Sequence, residues 1–180
     1  MKTAALLVLL LAAPNVDKPF VSAGAVNIQL ESGEYEIVPA ADNHIRVILG
    51  GNVGSTVADV TTANNRANVT VRNTPNHGNF HATIEVPRTS NLVLRLTAGD
   101  LTVGAIAGDK DIQTNAGDVK IRVGRADDYA RVDASVRVGD LSAGPFGGKK
   151  EGLIGQSLTW TGKGTYKLSA RLLAGDLKLQ

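Results

Sequence analysis

The sequence contains no cysteine. That excludes a disulfide framework, thiolate metal sites and a cysteine nucleophile, and it is compatible with an oxidising compartment. Aromatic residues make up only 4% of the chain, which suits a large cofactor pocket poorly; no cofactor is expected. Beyond residue 13 no segment is apolar enough to span a membrane, so no membrane span is expected once a leader is removed. Clustered positive charge is also missing. The formal net charge is +2, the charges are interspersed, and Lys149-Lys150 is the only adjacent basic pair. Nucleic-acid binding needs a clustered basic face, often with aromatics to stack on bases, so nucleic acid is not an expected partner.

What is present is aliphatic and glycine-rich. Hydrophobic residues make up 43% of the chain, mostly Val, Leu, Ile and Ala, and there are 20 glycines. That mixture suits a narrow, regularly layered β core. A chain of this length buries roughly 70% of its unfolded surface and needs neither metal nor disulfide to fold.

The first residues have the pattern of an export signal. Lys2 precedes an uninterrupted apolar run from Ala4 to Ala13, a charged n-region followed by an h-region too short to cross a bilayer as a helix. Val21-Ser22-Ala23 supplies small or β-branched residues at the third and first positions before a cut, so cleavage is expected after Ala23. A cut after Ala13 would place Pro14 just past the scissile bond. The expected organisation is a signal peptide over 1–23, a β region over 24–90 and a repeated region over 91–180, with 24–180 one continuous domain. The expected location is the periplasm, the cell surface or the medium.

An internal repeat dominates the second half. Leu96-Thr97-Ala98-Gly99-Asp100-Leu101-Thr102-Val103 returns as Thr114-Asn115-Ala116-Gly117-Asp118-Val119-Lys120-Ile121, as Val136-Arg137-Val138-Gly139-Asp140-Leu141-Ser142-Ala143, and as Leu172-Leu173-Ala174-Gly175-Asp176-Leu177-Lys178-Leu179. The glycines lie 18, 22 and then 36 residues apart. The doubled last gap predicts one coil that passes without the motif. Leu30-Glu31-Ser32-Gly33-Glu34-Tyr35-Glu36-Ile37 is a degenerate early copy. Apolar residues alternate before each Gly-Asp, as Leu92, Leu94, Leu96 and Ala98, and again after it, as Leu101 and Val103. Alternation is a strand with one buried face. A phase slip that keeps both flanks inward is a corner or bulge where glycine supplies an unusual φ. The structural turn residues are therefore Gly33, Gly99, Asp100, Gly117, Asp118, Gly139, Asp140, Gly175 and Asp176, with Gly108 marking another corner. Stacked corners predict an all-β fold, a single-stranded β-helix-like β-solenoid with irregular N-terminal β coils.

The N-terminal half alternates at Val26–Leu30, Ile45–Leu49, Val69–Arg72 and His81–Val86, with turns at Gly50-Gly51-Asn52 and Asn73-Thr74-Pro75-Asn76. No long amphipathic helix is readable; the best helical candidate is a short turn around Ala126–Tyr129.

The run Ile84-Glu85-Val86-Pro87-Arg88, an alternating strand, then Ala98-Gly99-Asp100-Leu101 and Ala116-Gly117-Asp118-Val119 resembles the bacterial "putative adhesin" family, a domain of unknown function. The resemblance covers roughly residues 25–180. It implies an exported β-solenoid with an adhesin-like role, and it supplies no catalytic residues.

Candidate chemistry is sparse. Gly99-Asp100, Gly108-Asp109 and Gly117-Asp118 are spaced nine apart, like a nonapeptide calcium repeat, but each copy lacks the second glycine. A turn in which Asp hydrogen-bonds its own backbone is favoured over calcium. His77 and His81 are four apart, but Asn76, Gly78 and Asn79 argue for a loop, and no carboxylate completes a metal site. The aspartates occupy equivalent repeat positions, which marks a structural role rather than an acid–base pair. No enzyme is expected. The expected function is an interaction module for a surface glycan or protein. The alternatives are a self-assembling envelope protein and a glycan-active β-helix enzyme. Leu172–Leu179 ends the chain with no capping element after it, so weak self-association through a C-terminal edge is also expected.

Overall fold

Alternating burial governs nearly every segment of this structure, a computed structural model that describes residues 16–150 and 154–180. The strands are β1 (Val16–Pro19), β2 (Gly24–Leu30), β3 (Glu34–Pro39), β4 (His44–Gly50), β5 (Val57–Ala63), β6 (Arg66–Arg72), β7 (His81–Val86), β8 (Ser90–Ala98) and β9 (Leu101–Val103). They continue as β10 (Lys110–Ala116), β11 (Val119–Ile121), β12 (Tyr129–Val138), β13 (Leu141–Ala143), β14 (Gly148–Lys150), β15 (Ile154–Thr161), β16 (Tyr166–Ala174) and β17 (Leu177–Leu179). Among the described residues the helical pieces are two single 3-10 turns, Ala126–Asp128 and Gly144–Phe146. The first is the short turn expected there.

The strands form two mixed sheets. One is ordered β1-β4-β7-β3-β9-β11-β17-β13-β14 and the other β15-β12-β16-β10-β8-β2-β6-β5. The middle of each sheet is parallel. In the first, β7, β3, β9, β11, β17 and β13 run in one direction. In the second, β6, β2, β8, β10, β16 and β12 do the same. The chain crosses between sheets at each corner, so β2 leads to β3, β8 to β9, β10 to β11, β12 to β13 and β16 to β17. The outermost strands pair antiparallel: β1 on β4, β5 on β6, β15 on β12 and β14 on β13.

Inward positions stack in register to make one apolar core. Ile28, Leu94, Ile112, Ala170 and Ala134 form one row. Tyr35, Leu101, Val119, Leu177 and Leu141 form another on the opposite sheet. The few aromatics gather toward the two ends of the stack. Tyr35 meets Phe80 edge-on at 6.0 Å, while Phe146 packs on Trp160 at 5.0 Å and on Tyr129 at 5.9 Å. Aliphatic rows fill the narrow middle, and aromatics contribute area where the stack stops.

Three expectations are corrected. Ala98 does not belong to the inward row: it is half-buried, and its equivalents Ala116 and Ala174 are exposed. The buried sequence passes from Leu96 directly to Leu101, because the four residues between them carry the chain around the corner. The 36-residue gap between Gly139 and Gly175 holds no plain coil. It holds the antiparallel strands β14 and β15, which close one end of the stack. The last repeat is likewise no edge. β16 lies between β10 and β12, and β17 between β11 and β13, so the backbone of both is paired on each side. The expected C-terminal edge is therefore not available as an association surface.

Part of the segment assigned to the leader is built into the fold. β1 pairs with His44–Val47, the Phe20 amide donates to the Asn43 carbonyl at 2.7 Å, and the Ala23 amide donates to the Thr89 carbonyl at 2.7 Å. Asp17 is held by His44 Nδ1 at 2.6 Å and Arg46 Nε at 3.1 Å. The hydrogen bond from His44, then Arg46, keeps the Asp17 carboxyl below the usual carboxylate range. Residues 1–15 lie outside the described residues, and with them the h-region.

Candidate functional site: an outer groove beside a corner ladder

The corner glycines stack in the spatial order Gly33, Gly99, Gly117, Gly175, Gly139, the first followed by Glu34 and the others by aspartate. Side chains are excluded by contact as well as by φ. A Cβ on Gly99 would sit 1.9 Å from the Gly33 carbonyl oxygen, one on Gly117 2.0 Å from that of Gly99, one on Gly175 2.1 Å from that of Gly117, and one on Gly139 1.9 Å from that of Gly175. The aspartates form a parallel file. Asp100 Oδ1 accepts from the Asp118 amide at 3.2 Å, Asp118 Oδ1 from the Asp176 amide at 3.1 Å, and Asp176 Oδ1 from the Asp140 amide at 3.0 Å. Asp100, Asp118 and Asp176 thus each bind the next corner rather than their own turn. Bonds to ionised acceptors are stronger than neutral ones, so the file ties corner to corner.

The file ends on Gln156. Its Oε1 accepts from the Leu141 amide at 2.8 Å, and its Nε2 donates to Asp140 Oδ1 at 3.5 Å. Elsewhere a neighbouring corner fills these roles through an aspartate carbonyl and amide, as Asp140 does for Leu177 and Asp176. One glutamine side chain substitutes for the absent next corner.

Gly108-Asp109 makes a second corner on another side of the stack. Asp109 donates its amide to Asn91 Oδ1 at 2.9 Å and accepts the Lys167 amide at 2.8 Å. The nine-residue spacing therefore separates Asp109 from Asp100 and Asp118 instead of grouping them. Among the described residues no group of three or more His, Asp or Glu could hold a metal. His77 lies in the loop before β7, and His81 opens β7 with Nδ1 at 3.1 Å from the Asn79 carbonyl.

A groove of about 600 Å³ lies on the outer face of the eight-stranded sheet, over β6, β2, β8 and β10. Thr70, Gln29, Arg95 and Gln113 share one outward row across it, and Arg171 continues the row on β16. Arg95 is pinned: Nη1 donates to the Leu94 carbonyl at 2.9 Å and the Asp111 carbonyl at 3.0 Å, and Nη2 to Asp111 Oδ2 at 2.9 Å. With its amide oxygen facing the guanidiniums, Gln113 accepts from Arg95 Nη2 at 3.3 Å and Arg171 Nη1 at 3.2 Å. Planar amide and guanidinium groups held in a row can meet hydroxyl or carboxylate oxygens in pairs. Among the described residues Glu31 is the one carboxylate lining the groove, whereas glycoside hydrolysis usually uses two.

This fold has a solved counterpart. The chain is similar to the crystal structure of a "putative cell adhesion protein" from Clostridium sporogenes ATCC 15579, with a TM-score of 0.55 and 12% sequence identity over 93% of this chain and 99% of that one. At that identity the likeness is one of fold. No family model and no curated protein matches the sequence.

The sequence reading missed the groove, although its signal is inside the repeat. The residue four before each corner glycine is Gln29, Arg95, Gln113, Ser135 or Arg171. These are outward residues, and attention to the buried rows passed over them. It also missed Lys110, which takes an inward position between Leu92 and Leu168 and is 2% exposed. Its Nζ donates to the Gly108 carbonyl and Tyr129 Oη, both at 3.1 Å, and lies 5.3 Å from the Tyr129 ring centre. Burial lowers the ammonium to about 8.

Proposed function

We propose that the protein is an exported, non-catalytic interaction module of adhesin-like type that binds a surface glycan or protein through the outer groove. Its six stacked strand pairs make it, in this reading, a β-solenoid: each corner bonds the next, and the antiparallel strands cap both ends. The observation that carries the binding role is the polar row Gln29, Arg95 and Gln113 lining one groove, with Arg95 and Gln113 held by hydrogen bonds. A rigid sheet holds these groups in advance, so little ordering entropy is lost on binding. The fold of a cell-adhesion neighbour and the export-like N-terminus support the same reading.

A binding screen of the mature protein against glycans and matrix proteins tests it. Arg95→Ala and Gln113→Ala are each expected to weaken the interaction roughly tenfold or more, since a hydrogen bond to a charged group is worth about 1.5–3 kcal/mol. Near-ultraviolet circular dichroism checks that both variants keep the native fold. Binding that survives both substitutions moves the site elsewhere.

A further inference from the structure

The order of the corners along the chain differs from their order in space. Gly139 follows Gly117 in sequence, yet Gly175 lies between them in the stack. The chain therefore builds β10 and β11, skips a slot one coil wide, builds β12 and β13, makes the cap, and only then returns with β16 and β17. The segment from β12 to β15 reaches the parallel ladders of the rest of the molecule through that last coil: β12 pairs with β16, and β13 with β17. Until the slot is filled, β10 and β11 on one side and β12 and β13 on the other expose unpaired amides and carbonyls.

We propose that this slot accepts the last coil of a second copy of the chain, so that two molecules exchange residues Tyr166–Gln180. The slot's recognition chemistry is set by the repeat. Asp118 accepts the Asp176 amide, the Gly117 amide donates to the Ala174 carbonyl, and the Gly175 amide donates to the Val138 carbonyl. Every one of these bonds is the same whether the coil comes from the same chain or another, which makes exchange a low-cost route to a dimer. The contact that closes the slot spans 58 residues, so it forms late relative to local pairings and leaves the edges open meanwhile. The connector is Gly162-Lys163-Gly164-Thr165, with a glycine at two of its four positions. It sets a high effective concentration for the chain's own coil, so exchange competes only when protein concentration is high during folding.

The test uses the full chain, which has no native cysteine. Gln113 and Arg171 are outward-facing register partners on β10 and β16. Neighbouring strands lie about 4.8 Å apart, within disulfide reach. A Gln113→Cys chain and an Arg171→Cys chain are unfolded together, refolded over a concentration series and oxidised. The expected result is a dimer whose ratio to monomer rises about tenfold for each tenfold rise in concentration while monomer predominates, cross-linked between the two cysteines. Asp59→Cys paired with Arg171→Cys is the control, because β5 lies at the far end of that sheet. The cysteine-free parent is refolded alongside and sized by light scattering. A parent that is monomeric at every concentration overturns the proposal, as does cross-linking at 113/171 no greater than at 59/171.

Discussion

Gly117 has a φ of +117° and faces the Gly99 carbonyl oxygen at a distance no Cβ can tolerate. Two separate costs follow from adding a methyl group: a left-handed backbone and displacement of a neighbouring main chain. Gly117→Ala is expected to destabilise by about 3 kcal/mol, from strain of about 1–3 plus overpacking of about 1–3 kcal/mol. Gly147 has a φ of +70°, and a Cβ there would meet nothing within 4 Å, so this position isolates the first cost. Gly147→Ala should lose about 1 kcal/mol. Denaturation midpoints of the two variants give the comparison, and equal losses would show that the stacked contact is relieved. Lys110 makes the second residue-scale prediction. Its folded ammonium titrates near 8, against 10.5 in the unfolded chain, so between those values the unfolded state binds more protons. Stability therefore rises with pH across that window, by about 3 kcal/mol in all. Lys110→Met is expected to be at least as stable at pH 7 and to lose that rise, as measured by denaturant unfolding at pH 7 and pH 10. A parent whose stability is flat over the window would mean the amine reaches water.

At the scale of elements, the sheet ends explain why the molecule can stop. The parallel strands of each sheet would otherwise present an open ladder at each end, and such edges template association. β5 and β15 cover the eight-stranded sheet, and β1 and β14 cover the nine-stranded one. β1 does so with four register pairs, the Asp17 ion pairs and the packing of Phe20 against Gly24, where a Cβ would lie 2.5 Å from the ring. A chain beginning at Gly24 is expected to unfold at lower denaturant than one beginning at Asn15, and to associate more readily through the uncovered β4. Equal midpoints and equal sedimentation would show that β1 adds nothing. The elements also show what was legible. Four of the N-terminal strands were readable from alternation alone, because each buries one face. β5 was not: its outer positions are exposed on both sides, as an edge strand permits, so Val57–Ala63 carries little period-two signal. β1 escaped for another reason. Its residues follow an export-like run, and whether four polar-leaning residues join a sheet depends on a partner, β4, that lies 25 or more residues away.

Across the whole molecule, the sequence by itself determined the all-β class and most of the inward aliphatic rows, because period-two burial is a local property of a strand; Ala98 and Lys110 are the exceptions. The tertiary structure decided the order of the strands in each sheet, the slot taken by β16 and β17, the end strands and the groove. Repeats with the same Gly-Asp signature are interchangeable in the chemistry they offer a neighbour, so nothing local says which copy stacks on which. That choice rests on contacts 58 residues apart and on side chains such as Gln156, whose role exists only where the stack ends. The row of Gln29, Arg95 and Gln113 follows the same logic: three residues widely separated in sequence become one surface only once their strands lie side by side in register.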